Sequence, residues 1–439
     1  MLLSKEKRLF RRSVLHSFSV FSNLSNGRVC QGANSFKDKM SSIHPSIMDT
    51  ESLKRRIQMP HPKNNVPESI IPKIGRNLHL LPHHPLNIVK QKIENYCQEY
   101  ALKKYRNGTS QTGNALNKFE IHDNLCPLVN TKTCFDDLLV KPDHVSRRPS
   151  DTYYVNDELV LRTHTSAHQC PLIQSGTTMF LCSGDVFRRD EIDSSHYPVF
   201  HQMEGVKIFD NSELVLGDKE ASLAIIESDL KEILTGLAKD LFGDVDMRWR
   251  NDYFPFTDPS FELDVFFEGE WLEVLGCGVI HNDVLKNAER SGCQGWAFGL
   301  GLERLAMVLF KIPDIRLFWT QDKRFLDQFH GLSDNPKKKV SFVPYSKFPL
   351  CYKDVSFWLP AGVPLHPNDI YEVIRSVAGD LVERVDLFDE FVNKKTNRVS
   401  HAYRITYRHM DRNLTNAEVD EVQFRLRDKL VEQLKVELR

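Results

Sequence analysis

The segment GDVFRRDEIDSSHYPVFHQMEG, residues 184–205, consists of two largely apolar runs separated by a polar loop. A further apolar stretch, Met179–Leu181, leads into it. This pattern predicts an antiparallel hairpin in which a charged loop joins two strands. In the second strand, Phe200, Gln202 and Glu204 are two residues apart, so their side chains share one face of the sheet. The hairpin therefore places an aromatic ring, an amide and a carboxylate together.

The side chains of this hairpin suit three kinds of ligand group. The planar guanidinium of Arg188 suits a phosphate, a carboxylate beside an amide suits an ammonium group, and an aromatic face suits a nucleobase. The alternative is an ordinary amphipathic hairpin, because Arg188 and Asp190 resemble the exposed ion pairs of many protein surfaces. The inward polar pair Gln202 and Glu204 favours a binding site, since a polar group among apolar neighbours needs a partner.

Three other segments carry candidate binding groups. Residues 161–169, LRTHTSAHQ, lead from an apolar strand into a helix start rich in hydroxyls and imidazoles, where Ser166 is predicted to cap the helix. Residues 254–256, FPF, place two rings on one side, although plain core packing is the commoner fate of such a pair. Residues 299–307, GLGLERLAM, begin a helix with Arg304 in its first turn, which predicts an anion site.

An acidic residue, Glu273, lies inside the apolar run WLEVLGCGVI at residues 271–280. A carboxylate in such surroundings is costly unless it meets a cation or a hydrogen-bond donor. The sequence therefore predicts either a metal ligand or a structural salt bridge at this position.

Together these segments resemble the class II aminoacyl-tRNA synthetases. The hairpin resembles motif 2, with PVFHQMEG (residues 198–205) similar to the phenylalanine-specific enzymes, and GLGLERLAM resembles motif 3. LRTHTSAHQ and FPF also match the phenylalanine-specific branch, and the resemblance runs from about residue 75 to the C-terminus. It implies an α+β fold: an antiparallel class II sheet flanked by helices, followed by a ferredoxin-like anticodon-binding domain.

The resemblance also implies roles for individual residues. Arg188 would hold the ATP α-phosphate and the substrate carboxylate, Arg304 the γ-phosphate, and Glu273 a Mg²⁺ ion; these three would be the catalytic residues. Phe200 would stack on adenine with Arg304 over its other face, and Gln202 and Glu204 would bind the amino group. Five residues would shape the phenyl pocket: Phe254, Phe256, Ala297, Phe298 and Gly299. The remaining expected substrate contacts are His164, Ser166, Ala167, His168, Gln169 and Met203, with Ser195, His196 and Tyr197 on the motif 2 loop.

The C-terminal part, from about Tyr345, predicts a separate domain. Its order of strand, helix, strand, strand and helix is typical of a ferredoxin-like fold. Basic side chains on an open sheet suit an RNA backbone, although a solvated basic face is the alternative. We predict tRNA contacts from Arg398, Arg404, Arg408 and Arg412, with Tyr403 and Tyr407 on the opposite face.

Composition limits the remaining classes. The chain has 439 residues, 41% of them hydrophobic and 27% charged, with a net charge of −1, so any nucleic-acid surface must be a local patch. Nine scattered cysteines form no CxxC pair, and no apolar run approaches the length of a membrane span. Residues 1–45 are basic, serine-rich and poor in acids, which is typical of a mitochondrial transit peptide; a disordered basic tail is the alternative.

Periodicity predicts the supporting elements. Amphipathic helices are expected over Leu86–Tyr100 and Ser212–Phe242, and short strands over Phe119–His122 and Phe135–Leu139. The expected organisation is a transit segment (1–45), a catalytic domain (60–329), a linker (330–343) and an anticodon-binding domain (344–439).

The resemblance is strongest to the single-chain organellar form. It implies a monomeric mitochondrial-matrix enzyme that uses ATP and Mg²⁺ to convert phenylalanine to Phe-AMP and transfers it to mitochondrial tRNA(Phe), without a membrane or an obligate protein partner. No segment remains for a separate editing domain, so we expect rejection of tyrosine to rest on the pocket. Two alternatives stay open: a relative that binds RNA after losing aminoacylation, and a class II enzyme for another amino acid. The intact arginines and acid disfavour the first, and the paired rings beside Ala297 and Gly299 disfavour the second.

Overall fold

The computed structural model describes residues 49–105, 118–215, 217–332, 340–344, 348–360, 362 and 364–439. The expected transit peptide lies outside these residues. The stretch from Pro45 to Arg439 belongs to one compact unit. Within the described part of the chain, no helix is both long enough and apolar enough to cross a membrane.

The described chain alternates helices and strands. The α-helices are α1 (Thr50–Ile57), α2 (Pro85–Tyr105), α3 (Thr131–Cys134), α4 (Gln169–Gln174), α5 (Lys219–Phe242), α6 (Asn282–Asn287), α7 (Leu302–Phe310), α8 (Lys323–Leu326), α9 (Pro367–Ala378) and α10 (Asn416–Leu434). The strands are β1 (Glu120–His122), β2 (Leu128–Asn130), β3 (Leu159–Leu161), β4 (Met179–Phe187), β5 (Val199–Phe209), β6 (Met247–Phe254), β7 (Thr257–Phe267), β8 (Glu270–Ile280), β9 (Gln294–Gly301), β10 (Cys351–Trp358), β11 (Val382–Val392), β12 (Val399–Tyr407) and β13 (Glu437–Leu438).

A seven-stranded sheet forms the centre of the catalytic part, in the order β1-β4-β5-β9-β8-β7-β6. All neighbouring strands are antiparallel except β1 and β4. The larger apolar core lies where α2, α5 and α7 pack on one face of this sheet. A smaller core on the other face includes α4 and α6. The polar side chains of β5 therefore lie on the face opposite the main helical layer.

The helical layer depends on one close contact. Helix α5 begins with Asp218, whose side chain accepts from the Ala221 amide, and ends at Gly243. Inside α5, a Cβ on Gly236 would lie 1.9 Å from the Tyr96 hydroxyl oxygen on α2. Glycine there lets α2 and α5 pack closely enough to cover the sheet.

The C-terminal part is a four-stranded antiparallel sheet in the order β11-β12-β10-β13, with α9 and α10 packed on one face. Its core contains Tyr403 and Tyr407, as the alternation in β12 predicts. The short strand β13 is an addition to the predicted order, because two residues carry too little pattern to be recognised in the sequence.

Two local predictions are wrong. Phe135–Leu139 is not a strand: Asp136–Leu138 forms a 3-10 turn that ends at Leu139 with a φ of 60°. Ser166 does not cap a helix, because it lies inside the 3-10 turn Thr165–His168 and α4 begins only at Gln169. The hairpin β4–β5, helix α2 and the β7–β8 hairpin agree with the sequence prediction, whereas α5 ends at Phe242 as predicted but begins at Lys219 rather than at Ser212.

Candidate active site on the central sheet

The floor of the candidate site is a part of the sheet in which glycines lie opposite the polar residues of β5. Gln202 and Glu204 of β5 are opposite Gly301 and Gly299 of β9, and Gly299 is opposite Gly276 of β8. A Cβ on Gly299 or Gly301 would meet no heavy atom within 4 Å. The three strands therefore enclose open space beside the Glu204 carboxylate.

Two phenylalanine rings form one wall of this space. Phe254 and Phe256 are stacked, with ring centroids 6.0 Å apart and an interplanar angle of 14°. The Phe254 ring lies over Gly276, where a Cβ would be 2.7 Å from its Cζ atom. The small side chain of Ala297 is buried on the same side as Phe256. The resulting slot fits a flat apolar ring.

Glu204 is a buried carboxyl group without a partner. Its side chain is 3% exposed, and neither carboxyl oxygen has a hydrogen-bond partner among the described residues. Burial raises the pKa of Glu204 to about 8, and the nearby Ser166 hydroxyl opposes that shift only in part. A bound ammonium group would supply the missing charge and donors.

Arg188 is a half-buried cation that makes no ion pair with the described residues. Its Nε atom donates to the Thr163 carbonyl oxygen at 2.8 Å, and burial lowers the pKa of its guanidinium. The guanidinium carbon lies 5.2 Å from the centre of the Phe200 ring. The remaining guanidinium nitrogens are available to an anion, and one face of Phe200 remains for a base.

The 3-10 turn after β3 adds further polar atoms. The Nδ1 atom of His164 and the Oε1 atom of Gln169 are buried and have no partner among the described residues. Burial and the Arg188 charge lower the pKa of His164 to about 3, so its ring is neutral. His168 accepts a hydrogen bond from Arg162 at 2.8 Å, so its Nε2 atom is not free for a ligand.

A group of carboxylates occupies the same sheet face near its other edge. Glu273 is 47% exposed and lies 3.9 Å from Arg250. Its cross-strand neighbour, Asp264, is also polar. The prediction that Glu273 lies in apolar surroundings is therefore wrong. Burial, a hydrogen bond with Asp252 and the charge of Glu273 raise the pKa of Glu262 to about 7. Sequence analysis missed Glu262, although its position two residues before Asp264 on β7 gives a period-two signal.

The chemistry of these carboxylates suits a divalent cation, although their oxygens do not all lie within 4.8 Å of one another in the described structure. Magnesium prefers oxygen ligands, and Asp252, Glu262 and Glu273 supply them on one face. Burial is the main cause of the raised pKa of Glu262, and the neighbouring acids Asp252 and Glu273 raise it further; a bound cation would oppose both effects by favouring the carboxylate. The residues present therefore fit a metal that accompanies a phosphate ligand.

Several predicted contacts point away from the site. Met203 and Phe298 lie in the helix-side core, because each is one residue out of phase with the site-facing positions. Phe298 fills the space beside Gly205, where a Cβ would be 2.2 Å from its ring. Ala167 is buried in the smaller core. The alternation of side chains along β5 and β9 turns Met203 and Phe298 away from the site, whereas Ala167 lies in a 3-10 turn and packs in the smaller core on the site side of the sheet.

The motif 2 loop contacts the C-terminal part of the chain. The Tyr197 hydroxyl donates to Asp380 at 2.7 Å, so Tyr197 is engaged away from the pocket. Ser195 and His196 both bond to Asp193, and that carboxylate raises the pKa of His196 to about 9. Ile192 is buried in the C-terminal core. The loop beside Arg188 is therefore held by the C-terminal part.

The four predicted tRNA-binding arginines are all paired with carboxylates. Arg404 meets Asp354 through two hydrogen bonds of 2.8 Å. The other pairs are Arg398 with Glu437, Arg408 with Glu383, and Arg412 with Glu418. Sequence analysis missed the aromatic rings between them on the open sheet face.

Those rings form stacked pairs with arginines. Arg404 lies 5.1 Å from the Phe388 ring centre, and Arg398 lies 5.0 Å from that of Trp358. Phe388 is 51% exposed. Aromatic and guanidinium planes on an open four-stranded sheet are suited to unstacked RNA bases.

The fold and site together define a class II aminoacyl-tRNA synthetase. Residues 86–329 match the family described as tRNA synthetases class II core domain (F), and residues 346–439 match the ferredoxin-fold anticodon binding domain. The first match covers more than half of the chain.

Curated relatives identify the branch. The chain is 48% identical to the mitochondrial phenylalanine–tRNA ligase of Dictyostelium discoideum, covering 86% of this chain and 90% of the relative. It is 51% identical to the chloroplastic/mitochondrial enzyme of Arabidopsis thaliana (86% and 83% covered) and 40% identical to the mitochondrial enzyme of Saccharomyces cerevisiae (85% and 92% covered). The chain belongs to the phenylalanine–tRNA ligase family.

Proposed function

We propose that this chain activates phenylalanine with ATP to Phe-AMP and transfers it to the 3′-terminal ribose of tRNA(Phe) in mitochondria. The observation that carries the proposal is the slot between the Phe254 and Phe256 rings and the unpartnered Glu204 carboxyl. A phenyl ring and an ammonium group are separated by a short chain in phenylalanine, and the slot and carboxyl lie on one sheet face.

In this proposal, Glu204 and Gln202 bind the amino group of phenylalanine. His164, Ser166 and Gln169 line the same end of the pocket. The rings of Phe254 and Phe256 hold the phenyl group, with Ala297 and Gly299 leaving it room. Met203 and Phe298 act only as packing behind the sheet, and Ala167 packs in the smaller core on the site side.

ATP would lie between motif 2 and motif 3. The free face of Phe200 stacks on adenine, and Arg188 holds the α-phosphate beside the substrate carboxylate. Arg304, which is exposed in the first turn of α7, holds the γ-phosphate. Glu273, with Glu262 beside it, would hold Mg²⁺, which neutralises phosphate charge when bound.

The reaction needs positioning and charge neutralisation rather than a protein nucleophile. The substrate carboxylate must approach an α-phosphorus that carries anionic oxygens, and the two anions repel each other. Arg188 contacts both groups in this proposal, so it offsets the repulsion where the new bond forms. The slot fixes the direction of approach by holding the ring and the ammonium group at opposite ends.

The C-terminal sheet would bind the anticodon loop. Loop bases are unstacked and so can lie on Phe388 and Trp358, while Arg404 and Arg398 exchange carboxylate partners for phosphates. We further propose that the enzyme acts as a monomer in the mitochondrial matrix after removal of residues 1–45, with 330–343 as the linker between the catalytic (60–329) and anticodon-binding (344–439) domains.

Amino-acid-dependent pyrophosphate exchange on the purified chain tests the activation step. Phenylalanine alone among the amino acids should support rapid exchange. Arg188→Ala should reduce exchange to background, with Arg189→Ala as the control because Arg189 is committed to Asp369 and Glu372. Unchanged exchange in Arg188→Ala would remove this arginine from the mechanism.

A further inference from the structure

A buried histidine behind the site joins motif 2 to motif 3. His201 lies between the site-facing residues Phe200 and Gln202, so its side chain points to the helical face, where it is fully buried. Its Nδ1 atom lies 2.7 Å from Glu303 Oε1, and its backbone N–H donates to Glu303 Oε2 at 2.8 Å. Because the carboxylate can only accept, His201 carries the proton on Nδ1.

The link lies where strand pairing stops. The ladder between β5 and β9 ends at the pair Gln202 and Gly301, and α7 begins at the next residue, Leu302. Gly301 provides no side-chain cap for α7. Glu303 accepts both hydrogen bonds. They therefore attach the first turn of α7 to β5, where neither strand pairing nor a helix cap does so.

Glu303 precedes Arg304 directly, so the direction of the Arg304 side chain depends on this attachment. Arg304 itself is exposed and makes no ion pair with the described residues. No described residue holds the Arg304 side chain beside Phe200 through a hydrogen bond or an ion pair. The attachment behind the sheet is what relates the two residues in space.

Other groups surround His201 on the helical face. Asp185 is its cross-strand neighbour and is paired with Arg162 at 2.7 Å. The His79 ring lies 5.0 Å away, and its Nε2 atom bonds to the Asp123 carbonyl oxygen. Neither His79 nor Asp185 contacts α7 through a hydrogen bond in the described structure, so Glu303 alone connects His201 to motif 3.

We propose that His201 and Glu303 are positioning residues. They hold Arg304 of motif 3 opposite Phe200 of motif 2, so that Arg304 and Phe200 can both contact ATP. The inference rests on the proposed ATP contacts of Arg304 and Phe200. It assigns to a buried pair on the helical face of the sheet an effect that acts through Arg304, and so on ATP more than on the amino acid.

The test measures KM for ATP and for phenylalanine separately in pyrophosphate exchange. His201→Leu removes the hydrogen bond at similar volume, and should raise the KM for ATP about tenfold or more while the KM for phenylalanine changes less than about twofold. His201→Asn keeps an N–H near the Nδ1 position and should recover most of the loss. His84→Asn is the matched control, because His84 is equally buried but bonds to the Phe318 carbonyl instead.

Glu303 provides an independent series if His201→Leu does not fold. Glu303→Ala should show the same selective effect on ATP, and Glu303→Gln should be milder because it can still accept from the His201 backbone N–H. Melting temperatures of the free variants identify any that are merely unstable.

Arg304→Ala separates failure of the inference from failure of the proposed ATP site. In the double variant His201→Leu/Arg304→Ala, the KM for ATP should be no worse than in Arg304→Ala alone, since both changes remove one interaction. Equal rises in both KM values, or no rescue by His201→Asn, would overturn the positioning role. An unchanged KM for ATP in Arg304→Ala would instead refute the assignment of Arg304.

Discussion

Phenylalanine binding should release a proton from Glu204. In the free enzyme, burial raises the pKa of this carboxyl to about 8 from an ordinary value of 4.5, so the group is protonated at neutral pH. An ammonium group placed against it stabilises the carboxylate, and the proton leaves. Proton linkage then predicts that binding of one phenylalanine releases about one proton at pH 6.5 and roughly a quarter of a proton at pH 8.5.

The same carboxyl should destabilise the free enzyme. Its folded pKa lies above its unfolded value, so the penalty is absent below about pH 4, grows as the pH rises, and levels off near pH 8. At pH 7 the cost is on the order of 3 kcal/mol, from 1.36 kcal/mol per pH unit over the interval above 4.5. Glu204→Gln should therefore raise the melting temperature at pH 7 by roughly 4 °C, with no gain at pH 4.

Calorimetry in buffers of different ionisation enthalpy counts the protons, and thermal melting across pH measures the stability change. Glu421→Gln, at an exposed position of α10, should leave the melting curve unchanged. Glu204→Gln should also lose phenylalanine-dependent exchange, because an amide cannot replace the charge. A proton count near zero at pH 6.5, or a Glu204→Gln variant no more stable than the parent at pH 7, would refute this account of the pocket.

Two contrasts test the slot and the RNA surface. Gly299→Ala adds a Cβ that meets no protein atom, so stability should be unchanged while the KM for phenylalanine rises about tenfold or more. Gly276→Ala should instead cost about 1–3 kcal/mol of stability, because the Phe254 ring must move; similar melting losses in both variants would contradict the geometry. Phe388→Ala should weaken tRNA binding about tenfold or more in a filter assay. Phe424→Ala, which removes an exposed ring beside an arginine on α10, should not, and equal losses would remove the sheet face from tRNA recognition.

The local sequence pattern was sufficient to predict a feature wherever that feature depends on a single strand or helix. The period of two in Phe200, Gln202 and Glu204 places these side chains on one face whatever surrounds them, because successive residues of a strand point to opposite sides. The helix start at Leu302 likewise follows from the small residues before it and the apolar period after it. These features allowed the hairpin and the helix of motif 3 to be predicted from the sequence.

Assignments that depend on neighbouring strands needed the structure. Met203 and Phe298 lie within recognisable motifs, and alternation places them on the other face from Glu204 and Gly299; only the structure shows that this face is the core beneath the helices. Glu273 lies in an apolar run, but it is half exposed, its cross-strand neighbour is Asp264, and Arg250 of β6 lies 3.9 Å away. Arg404 belongs to a basic cluster, but Asp354 on the adjacent strand already pairs with it.

The sequence by itself determined which groups are candidates for the site: the arginines of motifs 2 and 3, the Gln202 and Glu204 pair, and the two rings around Pro255. Only the tertiary structure decided that the Glu204 carboxyl oxygens have no hydrogen-bond partner among the described residues, that Gly276 makes room for the Phe254 ring, and that His201 attaches motif 3 from behind the sheet. The reason is physical. Side-chain direction along one strand depends on backbone geometry alone, whereas burial, pairing and pKa depend on residues that folding brings from distant parts of the chain.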